Sequence, residues 1–365
     1  MTVGFHAPLP PARTGVADYA SVLLAALRRF GRVETGSREA DVNLYHLGNN
    51  QLHRRIYEMA IRRPGVAVLH DAVLQHFFLG ALDRSSYLDE FVYNYGEWDR
   101  GLAEDLWASR ARSAVDERYF RYPMLRRIAE VSRAVIVHNP AARRMVLRHA
   151  PVARVHEIPH LFQPPAPVAA AAMERLRRDL GSSGACLFVV FGYIRESKRL
   201  PAILKVLDRV RRDGVDAVLL VAGDFVAPDL EKQVAPLMRN AGVRRAGMAS
   251  EREFWLRASA ADACINLRHP AAGETSGITI RLMGIGKPVI VTDGEEVSGF
   301  PEGACLRVSR GLAEQDELAH HVTLLAKCRG LAGNIGRLAA EHIRERHSVE
   351  AAAARYWDVL CGCRN

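Results

Sequence analysis

The chain predicts an α/β protein made of parallel sheets, on three observations. Short apolar runs alternate with helical patterns over most of its 365 residues, the rhythm of βαβ units. The length favours about two domains, each large enough for its own core. Near residue 163 that rhythm is interrupted by HLFQPPAPVAAAAMERL, which puts three prolines in a short window and reads as a linker.

The elements follow in order. TVGFHA, ADVNLYHL, GVAVLH and RAVIVHN read as strands of the first half, with VADYASVLLAALRRF as a helix between the first two. Residues 74 to 130 differ, being helical and rich in aromatics from Phe77 through Tyr122. After the linker, ACLFVVFG, AVLLVAG, ADACINL, PVIVTD and a short ACLRV read as strands separated by helix-like sequence. The final SVEAAAARYWDVL is amphipathic and is expected to dock back on the first domain. The expected boundaries are 1–163, 164–346 and a closing segment 347–365.

Within the second half, GETSGITIRLMGIGKPVI joins a helix start to a buried strand. Thr275 and Ser276 are good N-cap residues, Gly277 allows a ligand close to the backbone, and Gly286 and Pro288 stop the helix. The first amides of such a helix are unpaired and sit at the positive end of its dipole, which suits a phosphate; an ordinary αβ unit is the competing reading.

Bulk properties narrow the classes. No run approaches the roughly 18 apolar residues of a membrane-spanning helix, and the N-terminus lacks the apolar segment of a signal peptide, so a cytoplasmic protein is expected, with contact at the inner membrane face left open. The net charge of +9 comes largely from arginines dispersed along helices. Such a surface fits an anionic substrate or an acidic membrane face, and the absence of a basic stripe interleaved with aromatics argues against nucleic acid. The six cysteines are scattered and show neither zinc nor disulfide spacing.

Open parallel sheets bind ligands beyond the carboxyl ends of their strands. The polar and glycine positions there are Arg13 to Gly15, His46 to Asn50, His70 and Asp71, His138 and Asn139, Gly192 to Lys198, Gly223 and Asp224, and Arg268 to Gly277. Gly15 either admits a phosphate or sugar or only serves a turn. His70 can donate to a sugar hydroxyl with Asp71 orienting it, or can be a structural histidine. FGYIRESKRL offers Arg195, Lys198 and Arg199 after a glycine turn, groups suited to a pyrophosphate or to a solvated helix start. Walker A spacing and GxGxxG are both missing, against ATP hydrolysis and against a nicotinamide or flavin.

Together these pieces resemble a retaining glycosyltransferase of family 4. The resemblance runs through PLPPARTGVADY, ADVNLYHLGNN, GVAVLHD, FGYIRESKRL and RASAADACINLRHPAAGETSGITIRLMGIGKPVIVTD, nearly the whole chain. It implies the GT-B fold, two Rossmann-like domains facing across a cleft, with the closing helix bearing Tyr356 and Trp357 crossing back to the first. It also implies a nucleotide-sugar donor, UDP- or GDP-linked, and a carbohydrate, lipid-linked or small-molecule acceptor; no metal and no other cofactor are expected. By resemblance, Lys198 pairs with the pyrophosphate, His70 contacts the transferred sugar and Glu274 accepts from a sugar hydroxyl. Gly15, Gly192, Arg195, Gly223, Thr275, Ser276, Gly277 and Arg281 join them around the donor, and His46, Asn49, Asn50 and Asp71 lie on the acceptor side. Two departures stand out. Arg281 occupies the place of the family's second glutamate, which holds the ribose, and an arginine cannot accept from hydroxyls. Tyr193 stands where many members have an arginine. Arg281 keeps open a catalytically silent sugar-nucleotide-binding protein or partner subunit, and a GT-B epimerase is a further alternative.

Overall fold

A computed structural model of the chain describes residues 1–12, 14–37 and 39–364. Arg13, named above with Gly15, lies outside the described residues. The chain divides into two compact units, one of residues 1–161, 270–275 and the stretch from His347, the other of residues 162–269 and 276–346.

The first unit holds a six-stranded sheet, all parallel, in the order β2-β1-β3-β4-β5-β6. Its strands are β1 (Thr2–His6), β2 (Arg32–Thr35), β3 (Val42–Leu47), β4 (Val66–Leu69), β5 (Ala134–Val137) and β6 (Val155–Glu157). Successive residues of β4 feed opposite faces: Ala67 and Leu69 enter one apolar cluster, Val66 and Val68 the other. A sheet buried on both faces needs apolar residues at every position, which is why its central strands are legible as continuous runs. The first face is covered by the aromatic helices between β4 and β5, from Gln75–Ala81 to Arg126–Val131. The second is covered by the helices Gly15–Leu27 and Val349–Cys361, which meet at a 2.9 Å hydrogen bond between the Tyr19 and Tyr356 hydroxyls.

The second unit repeats the plan with β7 (Cys186–Phe191), β8 (Ala217–Ala222), β9 (Val243–Ala246), β10 (Ala263–Asn266), β11 (Val289–Thr292) and β12 (Leu306–Val308), ordered β12-β11-β10-β7-β8-β9 and all parallel. The chain runs outward from β7 through β8 to β9 and then starts again on the other side with β10. The strand order therefore reverses between β7 and β10, and in the first unit between β1 and β3. At such a switch point the loops leave in opposite directions and open a crevice at the strand ends. No helix among the described residues is long and apolar enough to cross a membrane.

Candidate functional site

The switch point of the second unit gathers Lys198, Asn266 and the start of the helix Gly277–Gly284. Gly192 follows β7 directly, and its φ of 84° lies in the left-handed region that glycine adopts at no steric cost. A Cβ on Gly223, just after β8, would collide with the Gly192 carbonyl, so the close approach of these two strand ends accounts for that glycine. The chain then turns through Glu196–Lys198 and sinks Lys198 to 5% exposure. Its Nζ donates to Asn266 Oδ1 at 3.4 Å. Asn266 in turn donates from Nδ2 to the hydroxyls of Ser276 and Thr279, each at 2.7 Å. An amide is suited to this because its two ends are a donor and an acceptor, so one side chain ties a cation to a helix terminus.

Ser276 is the N-cap of that helix, its Oγ accepting from the Thr279 amide. The amides of Gly277 and Ile278 have no hydrogen-bond partner among the described residues. A buried ammonium beside two open helix amides makes a strongly anion-favouring corner. Arg268 lies near it, its Nη2 3.5 Å from Ser276 Oγ. Arg195 is exposed on the same turn. Arg281 is committed elsewhere: its guanidinium pairs with Glu251 and stacks over the rings of Phe254 and Trp255, 3.9 and 4.4 Å from their centroids. Glu251 also accepts from Trp255 Nε1 at 2.7 Å.

The first unit carries the other constellation. Gly15 begins a helix capped by Thr14, has an ordinary φ, and a Cβ there would meet nothing within 4 Å. Neither turn geometry nor packing against the described residues explains the glycine. Around Tyr19 lie the rings of His46, His70, His138 and His160, with centroids 4.7 to 6.1 Å from its own. His46 is wholly buried and its Nδ1 lies 2.9 Å from His70 Nε2. A ring with no exposed surface cannot touch an acceptor, so His46 stands behind His70. Asp71 Oδ2 accepts from the Asn49 amide at 2.8 Å, and the ring that bonds His70 is His46. Asn49 holds the start of the aromatic insert through the Phe77 amide, and Asn50 caps the short turn Gln51–His53. Burial pushes the His70 imidazole well below its ordinary range, with neighbouring His138 adding to the shift, and that of His46 likewise. Both rings are neutral at physiological pH.

Glu274 and Thr275 pack with this first unit. Glu274 Oε2 accepts from the Ala272 amide at 2.7 Å, and Asn139 Nδ2 bonds the Gly273 carbonyl and the Thr275 hydroxyl at 3.0 and 2.9 Å. Asn139 also caps the helix Pro140–His149, so one residue anchors both segments. Asn266 was missed as a site residue because an asparagine closing an apolar strand looks like a strand terminator; its two-ended bonding is visible only in three dimensions. Cys186 and Cys264 are buried with thiols pushed up to about 12 by desolvation, which leaves them inert. No cluster of three or more metal-ligating side chains occurs among the described residues.

This architecture has counterparts among solved structures. Anabaena Alr3699/HepE in complex with UDP-glucose aligns with a TM-score of 0.71 at 15% identity, covering 99% of this chain and 100% of that one. The fold is GT-B. Two further GT-B structures agree: sucrose-phosphate synthase from Thermosynechococcus elongatus, with a TM-score of 0.70 at 14% identity over 99% of this chain and 98% of that one, and WaaG, a glycosyltransferase involved in lipopolysaccharide biosynthesis, with a TM-score of 0.62 at 13% identity over 99% and 100%. No family model and no curated protein sequence matches the chain. At these identities the GT-B likeness is one of backbone, and the chemistry has to be argued from the residues themselves.

Proposed function

We propose that the protein is a glycosyltransferase that moves a sugar from a nucleotide-sugar donor, UDP- or GDP-linked, to an acceptor hydroxyl with retention of configuration and without a metal ion. The observation that carries this reading is the buried Lys198 ammonium beside the open amides of Gly277 and Ile278 at a topological switch point. That HepE was solved with UDP-glucose supports a uridine donor.

In this reading Lys198 and the helix amides stabilise the diphosphate as the bond from the anomeric carbon to its oxygen breaks. The acceptor oxygen bonds to the same face of that carbon, and its proton passes to the departing phosphate oxygen. His70 donates a hydrogen bond to the transferred sugar, and Glu274 accepts from one of its hydroxyls. Catalysis then rests on positioning and on preorganised charge, with no enzymic nucleophile. The acceptor, whether carbohydrate, lipid-linked or small molecule, meets the first unit through Asn49, Asn50 and Asp71. A thermal-shift screen with UDP-, GDP-, TDP- and ADP-sugars, followed by assay of nucleoside diphosphate release with cell extract as acceptor source, tests it. A stabilising donor with diphosphate release is the expected outcome. Donor binding without any release would instead favour a silent sugar-nucleotide-binding protein, the reading that Arg281, occupied by Glu251, keeps in play.

A further inference from the structure

Two buried histidines near His70, His53 and His138, share one protonation pattern. His53 Nδ1 lies 2.9 Å from the His46 carbonyl, and His138 Nδ1 lies 2.9 Å from that of Ile158. A carbonyl can only accept, so each ring carries its proton on Nδ1. Their Nε2 atoms are buried with no partner among the described residues. They are therefore bare lone pairs, and the interior avoids an orphaned N–H, the rarer and costlier state. His46 Nε2 is buried without a partner in the same way.

One proton must lie between His46 Nδ1 and His70 Nε2, which are 2.9 Å apart. If His70 supplied it, neutral His46 would hold its own proton on Nε2, a buried donor with nothing to bond, at a cost of about 1–3 kcal/mol. If His46 supplies it, Nε2 is left bare, as His53 and His138 already are. We infer that His46 is a positioning residue: it donates from Nδ1 to His70 Nε2 and thereby holds His70 in the tautomer that carries its proton on Nδ1. That Nδ1 bonds no described residue and is not among the buried orphan atoms, and His70 keeps 9% of its surface exposed. His70 therefore presents an N–H outward. It serves a ligand oxygen as a donor, a sugar hydroxyl or ring oxygen, and cannot act as a general base at that nitrogen. The ligand assignment rests on the reading of His70 as a sugar contact; the tautomer does not.

A long-range proton–nitrogen correlation spectrum of the full chain, 15N-labelled at histidine and recorded above the ordinary imidazole range, reads the tautomer directly. The resonances that vanish in His70→Phe belong to His70. Nδ1 of His70 is expected to be pyrrole-like and Nε2 pyridine-like. In His46→Leu that pattern reverses or averages, and kcat falls at least about tenfold with the donor KM within about twofold. His46→Asn, whose amide can still donate towards His70, keeps the pattern and most of kcat. A protonated Nε2 on wild-type His70, or an unchanged pattern in His46→Leu, overturns the inference; if the His46 variants fail to fold, the wild-type spectrum assigned with His70→Phe decides. A pattern that changes as expected while kcat does not move upholds the tautomer lock and removes His70 from the sugar site.

Discussion

Lys198 is the residue on which the functional reading turns. Its buried ammonium donates to the Asn266 amide oxygen at 3.4 Å, and an anionic phosphate oxygen would be a charge-assisted acceptor for the same group. Lys198→Ala is expected to weaken nucleotide-sugar binding by about 2 kcal/mol or more, the scale of a charge-assisted contact to phosphate; unchanged calorimetric affinity would sink the assignment. Arg281 behaves differently, because its guanidinium already has an ion pair and two rings. Arg281→Glu would set a carboxylate against Glu251 and uncover Phe254 and Trp255. The half-exposed pair counts for little, so the expected loss of stability is about 1 kcal/mol, mostly from the stacking. Urea unfolding of the ligand-free protein would show it, and an unchanged midpoint would mean that the stacked arrangement does not form in solution.

Among the elements, the turn that carries Lys198 is held from behind. Arg199 has a φ of 58°, a left-handed conformation that disfavours an ordinary side chain, and forks onto Glu314, both Nε and Nη2 lying within 3.1 Å of its carboxylate. Glu314 is 2% exposed, so removing the arginine strands a buried charge. Arg199→Ala is expected to cost about 2–4 kcal/mol and to loosen donor binding through Lys198. Arg199→Gly relieves the backbone without restoring the fork, so it should recover only part of the stability; full recovery would show that backbone strain, and not the ion pair, governs the turn. The central strands of both sheets were legible as apolar runs because they are covered on both faces. Three strands were not: β2 (RVET), β6 (VHE) and β9 (VRRA). Each lies at a sheet edge. An edge strand completes one hydrogen-bond ladder while partly exposed, so backbone pairing, and not apolar side chains, specifies it.

At the scale of the whole molecule, acid should act through the first unit. Burial lowers the imidazoles of His46, His70 and His53 and takes His138 down to about 4, and no carboxylate appears among the groups that shift them. An unfolded histidine takes up its proton near 6.5, whereas these rings stay neutral in the folded chain, so the unfolded state binds more protons below that pH. Stability is therefore full above about 6.5 and is lost as pH falls towards 4, by up to about 1.4 kcal/mol per pH unit for each such ring. Urea midpoints measured at about pH 7.5 and 5 should differ strongly; equal midpoints would mean the histidines are not buried neutral. By itself the sequence determined the α/β class, the buried strands, the loops at their carboxyl ends and the helix start at Ser276, because periodicity, capping and glycine placement are local properties. Tertiary structure alone decided how those residues pair: that Asn266 links Lys198 to the helix, that His46 bonds His70, and that Glu251 occupies Arg281. The pairings of His46 with His70, Glu251 with Arg281 and Lys198 with Asn266 join residues 24 to 68 positions apart, and only the order in which parallel strands assemble brings such positions to hydrogen-bond distance.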